Sequence, residues 1–134
     1  MSLEVQVVSP ERILWTGDAE RVITRTAGGG GEIAFLTGHA PFVGALDIGV
    51  TRVLPAGGGE ELAVAVHGGF VEVSGDQVSI LSDVAELADD IDVSRAQAAL
   101  DRLQGTTPTE DDAEEVELAL RRAQARLDAA QRSS

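Results

Sequence analysis

The chain has 134 residues, 43% of them hydrophobic, with no cysteine, one tryptophan, three phenylalanines and no tyrosine. That length suits one domain with an appendage or two very small domains, and the missing cysteine excludes a disulfide framework, a thiol nucleophile and a thiolate metal site. A formal charge of −13, with ten basic residues that are all arginine, disfavours nucleic-acid and direct membrane binding and rules out the lysine of a phosphate loop or Schiff base.

Met1–Glu4 lacks the basic region and apolar core of a signal peptide, and no apolar run approaches the length of a bilayer span, so a soluble cytoplasmic protein is expected. Leu3–Ser9 alternates apolar and polar residues as a strand does, and Pro10-Glu11 marks a turn. Ile13-Leu14-Trp15 leads back, and Thr16-Gly17-Asp18 is read as another turn. Val22–Thr26 is a β-branched run ending at the glycines Gly28–Gly31, which are read as a flexible loop tip. Ile33–Leu36 stops at Gly38-His39-Ala40-Pro41. Phe42–Leu46, Val50–Leu54, Leu62–Val66, Phe70–Val73 and Val78–Leu81 follow at intervals of roughly ten residues, separated by glycine turns that include Asp47-Ile48-Gly49. This spacing predicts an all-β sandwich or barrel.

From Ala85 the period changes from two to three or four. Asp92 is a suitable N-cap for a helix from Val93 to about Leu103, with Ala96, Ala99, Leu100 and Leu103 as its apolar stripe and Gly105 as its stop. Thr107-Pro108-Thr109-Glu110 fits a capping box opening a second helix that runs to about Ala130. Val116, Leu120, Ala123 and Leu127 form its apolar face, and Glu117 and Arg121 have the spacing of an i,i+4 pair. The organisation expected is therefore a β domain over residues 1–84 and a helical hairpin over residues 85–134.

Catalytic chemistry finds little support in the sequence. His39 and His67 are the only imidazoles, too few for a zinc site without recruited carboxylates, and His67-Gly68-Gly69 has no GxSxG elbow to accompany it. Gly28–Gly31 lacks the phosphate-loop pattern. The arginines of the helical part are more suggestive. Arg95 and Arg102 share one face of the first helix, and Arg122 and Arg126 share one face of the second. If the hairpin folds compactly, two cationic faces can converge on an anion such as a nucleotide phosphate. If it extends, they can meet an acidic partner surface, and ordinary surface arginines are the plain alternative.

Six segments in order resemble the epsilon subunit of bacterial F-type ATP synthases over nearly the whole chain: residues 7–12 (VVSPER), 14–17 (LWTG), 31–33 (GEI), 38–41 (GHAP), 68–73 (GGFVEV) and 91–96 (IDVSRA). The resemblance implies a flattened β-sandwich of about ten strands followed by an antiparallel two-helix hairpin. It implies a non-catalytic rotor part that binds the gamma subunit, rests on the c-ring and couples rotation to the alpha/beta catalytic head. Its membrane contact would be indirect, through the c-ring, at the cytoplasmic face of the bacterial membrane. By the same likeness Glu32 and His39 would lie at the c-ring and gamma contact. The hairpin would swing between a folded state and an extended one that blocks ATP hydrolysis. No cofactor is required, with ATP as an optional regulatory ligand. Ile91 and Ala96 would pack on adenine, Asp92 would accept from its amino group, Glu86 would be accessory, and Arg95, Arg102, Arg122 and Arg126 would meet the phosphates. Glu115 stands where that pattern has a further basic residue. A stand-alone nucleotide-sensing module built on the same hairpin is the alternative reading.

Overall fold

The computed structural model describes residues 2–28 and 31–132; Gly29 and Gly30, within the expected glycine loop tip, lie outside them. Nine strands are present among these residues: β1 (Leu3–Val8), β2 (Ile13–Thr26), β3 (Gly31–Leu36), β4 (Phe42–Ala45), β5 (Ile48–Pro55), β6 (Leu62–His67), β7 (Phe70–Ser74), β8 (Gln77–Leu81) and β9 (Ala85–Leu87). A 3-10 turn at Ala88–Asp90 leads into α1 (Val93–Gln104) and α2 (Ala113–Arg132). Strands pair in the order β4-β7-β8-β1-β2-β5-β6-β9, with β3 on β2. All ladders are antiparallel except β1 with β8.

The expected turn at Thr16-Gly17-Asp18 does not exist. β2 runs straight through it, pairing with β1 up to Ala19 and with β3 and β5 beyond. A register shift between Ala19 and Arg21 marks the change of partners, a bulge of the kind that re-aims a strand. Gly17 has another use there. A Cβ at this position would sit 2.8 Å from Trp15, so the glycine makes room for the indole lying along the same face of the strand. Gly44 does the same for Phe42, whose ring would meet a Cβ at 2.7 Å.

Alternation along the strands builds the core. Leu3, Val5, Val7, Val22, Phe35, Val53, Val64, Val66, Val71, Val73, Val78 and Ile80 are buried in one apolar cluster. Thr24 and Thr51 are buried too, and each satisfies the other through a 2.8 Å hydroxyl hydrogen bond. At the β7–β8 turn Gly75 and Asp76 both take positive φ, 56° and 64°, as a tight two-residue hairpin demands. Asp76 then accepts from the Gly38 N–H at 2.7 Å, tying this turn to the Gly38–Pro41 loop.

β6 is buried on both faces. Val64 and Val66 point into the sandwich, while Ala63 and Ala65 meet α2, packing with Ala88, Ile91 and Ala129. A second seam joins the helices to each other through Ala96, Leu100, Ala123 and Leu127, with Ala99 and Leu120 beside it. Thus α2 has two apolar faces, one to α1 and one, made of alanines, to the sheet.

Two expectations change at the junctions. Residues 85–87, assigned to the helical part, instead form β9 and pair with β6, so the sheet extends beyond residue 84. The expected Thr107–Glu110 capping box is displaced by two residues. Asp112 Oδ1 accepts from the Thr109 N–H at 2.6 Å and from its hydroxyl at 2.9 Å, and α2 begins only at Ala113. α1 matches its expected start, with Asp92 Oδ1 accepting from the Arg95 N–H at 3.0 Å, the bond that satisfies an otherwise orphaned helix donor.

Candidate functional site

A cleft of about 620 Å³ opens between the two helices and the last strand of the sheet. β9 supplies Glu86, the turn after it supplies Asp90, and the cap of α1 supplies Asp92. From α1 come Arg95, Ala96, Ala98, Ala99 and Arg102, and from α2 comes Arg126. Helical periodicity explains the α1 contribution: Arg95, Ala99 and Arg102 are four and seven residues apart and share a face. Small alanines between the guanidiniums leave a shallow apolar floor. Three guanidiniums and three carboxylates around such a floor suit a ligand with both an anionic and a flat apolar part.

Of the residues expected at a nucleotide, the structure brings together Glu86, Asp92, Arg95, Ala96, Arg102 and Arg126. Two are placed elsewhere. Ile91 is buried under α2 against Ala63, Ala65 and Ala129, so it anchors the hairpin and does not line the cleft. Arg122 is exposed outside the cleft. The two cationic faces therefore converge through Arg126 alone. Its Nε donates to Glu86 Oε1 at 2.7 Å, and His67 Nε2 reaches the same oxygen at 3.0 Å. Burial pushes the Glu86 carboxyl up, but the hydrogen bonds from Arg126 and His67, with the Arg126 charge, outweigh it and hold the group below its ordinary value.

Asp90, Ala98 and Ala99 belong to the cleft as well. Arg121 does not depend on Glu117 but bonds Asp47, on the turn before β5. Arg132 lies 3.8 Å from Glu61, which also meets Arg52 at 3.5 Å. Three arginines of α2 (Arg121, Arg126 and Arg132) thus reach three sandwich carboxylates (Asp47, Glu86 and Glu61). These pairings span dozens of residues, beyond the reach of any local spacing rule.

Glu32 lies at the start of β3 and His39 three residues beyond its end, on the Gly38–Pro41 loop. Glu32 pairs with Arg52 at 3.5 Å and borders a second cleft of about 490 Å³, between β5 and α2. His39 donates from Nδ1 to the Ala40 carbonyl at 2.7 Å and sets its ring edge-on to Phe35 at 4.9 Å. Among the described residues no group of three or more His, Asp or Glu is placed to hold a metal, and no helix is long and apolar enough to cross a membrane.

The architecture is that of a β-sandwich module with a two-helix arm laid on its outer face. Residues 2–88 match the ATP synthase, Delta/Epsilon chain, beta-sandwich domain, and residues 89–131 match the long alpha-helix domain of the same proteins. The chain belongs to the ATP synthase delta/epsilon family, as an epsilon-type member. It is 43% identical to the ATP synthase epsilon chain of Synechococcus elongatus over 137 aligned residues, covering 97% of this chain and 96% of the relative. It is 44% identical to that of Halalkalibacterium halodurans, covering 98% of each, and 41% identical to that of Bacillus pumilus, covering 96% and 97%. The fold is shared with a chain of the Euglena gracilis mitochondrial ATP synthase, resolved with OSCP, F1 and c-ring. That likeness has a TM-score of 0.82 at 24% identity, over 97% of this chain and 81% of the other.

Proposed function

We propose that the chain is a non-catalytic central-stalk subunit, whose sandwich joins the gamma subunit to the c-ring and whose hairpin restrains ATP hydrolysis by leaving the sandwich for the catalytic head. It would sit peripherally at the cytoplasmic face of the membrane, touching the bilayer only through the c-ring. The observation that carries this reading is how the hairpin is held. Its apolar contact with the sheet is mostly alanine, with Ile91 and the partly buried Val50 beside it, and the three arginine–carboxylate pairs of α2 add to it. Alanine buries little apolar area, and partly exposed ion pairs contribute about 0–1 kcal/mol each. Such a seam parts without exposing a large apolar core on either side.

The opposite layer of the sandwich supports the gamma contact. Ile13, Val8, Leu81 and Phe70 stand side by side in register across four strands, with Ile13 57%, Leu81 40% and Phe70 57% exposed. A continuous apolar row on an outer sheet face marks a partner surface. The inter-helix cleft supports ATP as the regulatory ligand, with Arg95, Arg102 and Arg126 toward its phosphates and Ala96 and Ala99 beneath its base. ATP held there bridges both helices and β9 and so stabilises the docked arm.

Two experiments test the reading. In a reconstituted ATPase complex, deleting residues 93–134 spares β9 and should raise hydrolysis; unchanged inhibition refutes the brake. Calorimetric titration of the full chain with ATP should release heat that Arg95→Ala with Arg102→Ala abolishes. No heat from the parent chain refutes the nucleotide site.

A further inference from the structure

His67 ends β6 where that strand, β9 and α2 meet, and its side chain is only 2% exposed. Its Nε2 faces Glu86 Oε1. A carboxylate only accepts, so Nε2 carries the ring proton. Nδ1 is buried and has no hydrogen-bond partner among the described residues. One carboxylate oxygen therefore ties a histidine of the sandwich to Arg126 of the hairpin.

The charged surroundings of the ring come from each packed element. β9 presents Glu86, and α2 presents Arg126 and Arg122. Opposite His67 on β5 is Ile48, which is uncharged, and the adjacent Asp47 is engaged by Arg121. Protonating Nδ1 here buries an N–H with no acceptor and adds a third cation around a single carboxylate. Both effects disfavour the charged ring while the arm is docked.

We propose that His67 is a proton-operated latch, whose protonation draws Glu86 away from Arg126 and releases the hairpin from the sandwich. The latch rests on the mobile-arm reading above and adds acidity as the signal that operates it. Burial and the charges of Arg126 and Arg122 push the His67 imidazole down from its ordinary value, outweighing the hydrogen bond and charge of Glu86, which raise it. The docked state thus binds fewer protons than the released one. Its stabilisation is complete above about pH 6.5, the value of an unperturbed histidine, and is lost as pH falls from there toward the lower docked value.

The chain has no cysteine of its own, so a fluorophore pair on Ser74→Cys and Ser94→Cys, both exposed, reports docking in the full chain. Between pH 7.5 and 5.5 the docked-to-released ratio should fall, by at most about tenfold per pH unit as one proton allows. His67→Gln keeps an amide donor toward Glu86 without a titrating ring and should remain docked at both pH values. A parent ratio that does not change, or a His67→Gln chain with the parent's response, overturns the latch. Ring NMR of the parent gives an independent check: His67 should take up its proton as the labels separate, and titration with the arm still docked also overturns it. Addition of the catalytic head separates the two levels of inference. Opening by the head but not by acid defeats the latch and leaves the mobile arm standing, whereas opening by neither defeats both.

Discussion

Ala129→Leu should detach the hairpin while leaving the sandwich folded. Ala129 is 0% exposed and faces Ala63, Ala65, Ala88 and Ile91, so α2 approaches the sheet as closely as methyl groups permit. Leucine adds three carbons at the tightest point of that contact. Neither neighbour can yield: β6 is held from behind because its own Val64 and Val66 are packed into the sandwich core, and Ile91 precedes the cap of α1. Overpacking of this kind costs about 1–3 kcal/mol, equivalent to a 5–150-fold fall in the docked-to-released ratio. The two-cysteine fluorescence pair reads that ratio directly, and the sandwich provides an internal control because its own core is untouched. Ala113→Leu, at the exposed first residue of α2, should change nothing, since alanine and leucine differ little in helix propensity. If Ala129→Leu docks as tightly as the parent, the alanine seam is not what sets the approach of α2, and the account of the arm as closely but weakly held is wrong.

Two further predictions concern the sandwich. Gly69→Ala should destabilise it by about 3 kcal/mol or more, because a non-glycine residue is strained at φ 114° and its Cβ would lie 2.1 Å from the Leu81 carbonyl oxygen; a urea midpoint within error of the parent refutes this. Thr24→Val and Thr51→Val should each cost about 1–3 kcal/mol by orphaning the other hydroxyl, whereas the double substitution should recover most of that loss. Additive losses in the double-mutant cycle would show that the 2.8 Å hydroxyl pair is not the coupling.

Much of the molecule was legible in the chain. Strand alternation, the change of period before α1, the Asp92 cap and the Gly105 stop all depend on residues within a turn or two of one another. The errors arose where one residue type serves two purposes. Gly17 reads as a turn residue but makes room for Trp15, and Thr107 reads as a cap although Thr109 with Asp112 closes the turn. Arg95 and Arg102, two residues of the candidate site, were visible as arginine spacing on α1, and the family resemblance pointed to Glu86, Asp92, Ala96 and Arg126. The shared contact of Glu86 with Arg126 and His67 was not visible, because strand pairing and helix docking bring the three together.

Sequence alone determined that this chain is a sheet body with an arginine-rich helical arm and no cysteine or lysine chemistry, since period, composition and capping are local properties. Only the tertiary structure decided that α2 has a second face of alanines, that Ile91 anchors the arm outside the cleft, and that Glu86 joins His67 to Arg126. Which residues meet across the sandwich–hairpin seam depends on strand register and on how closely a helix can approach the sheet, and neither is encoded at any fixed spacing along the chain.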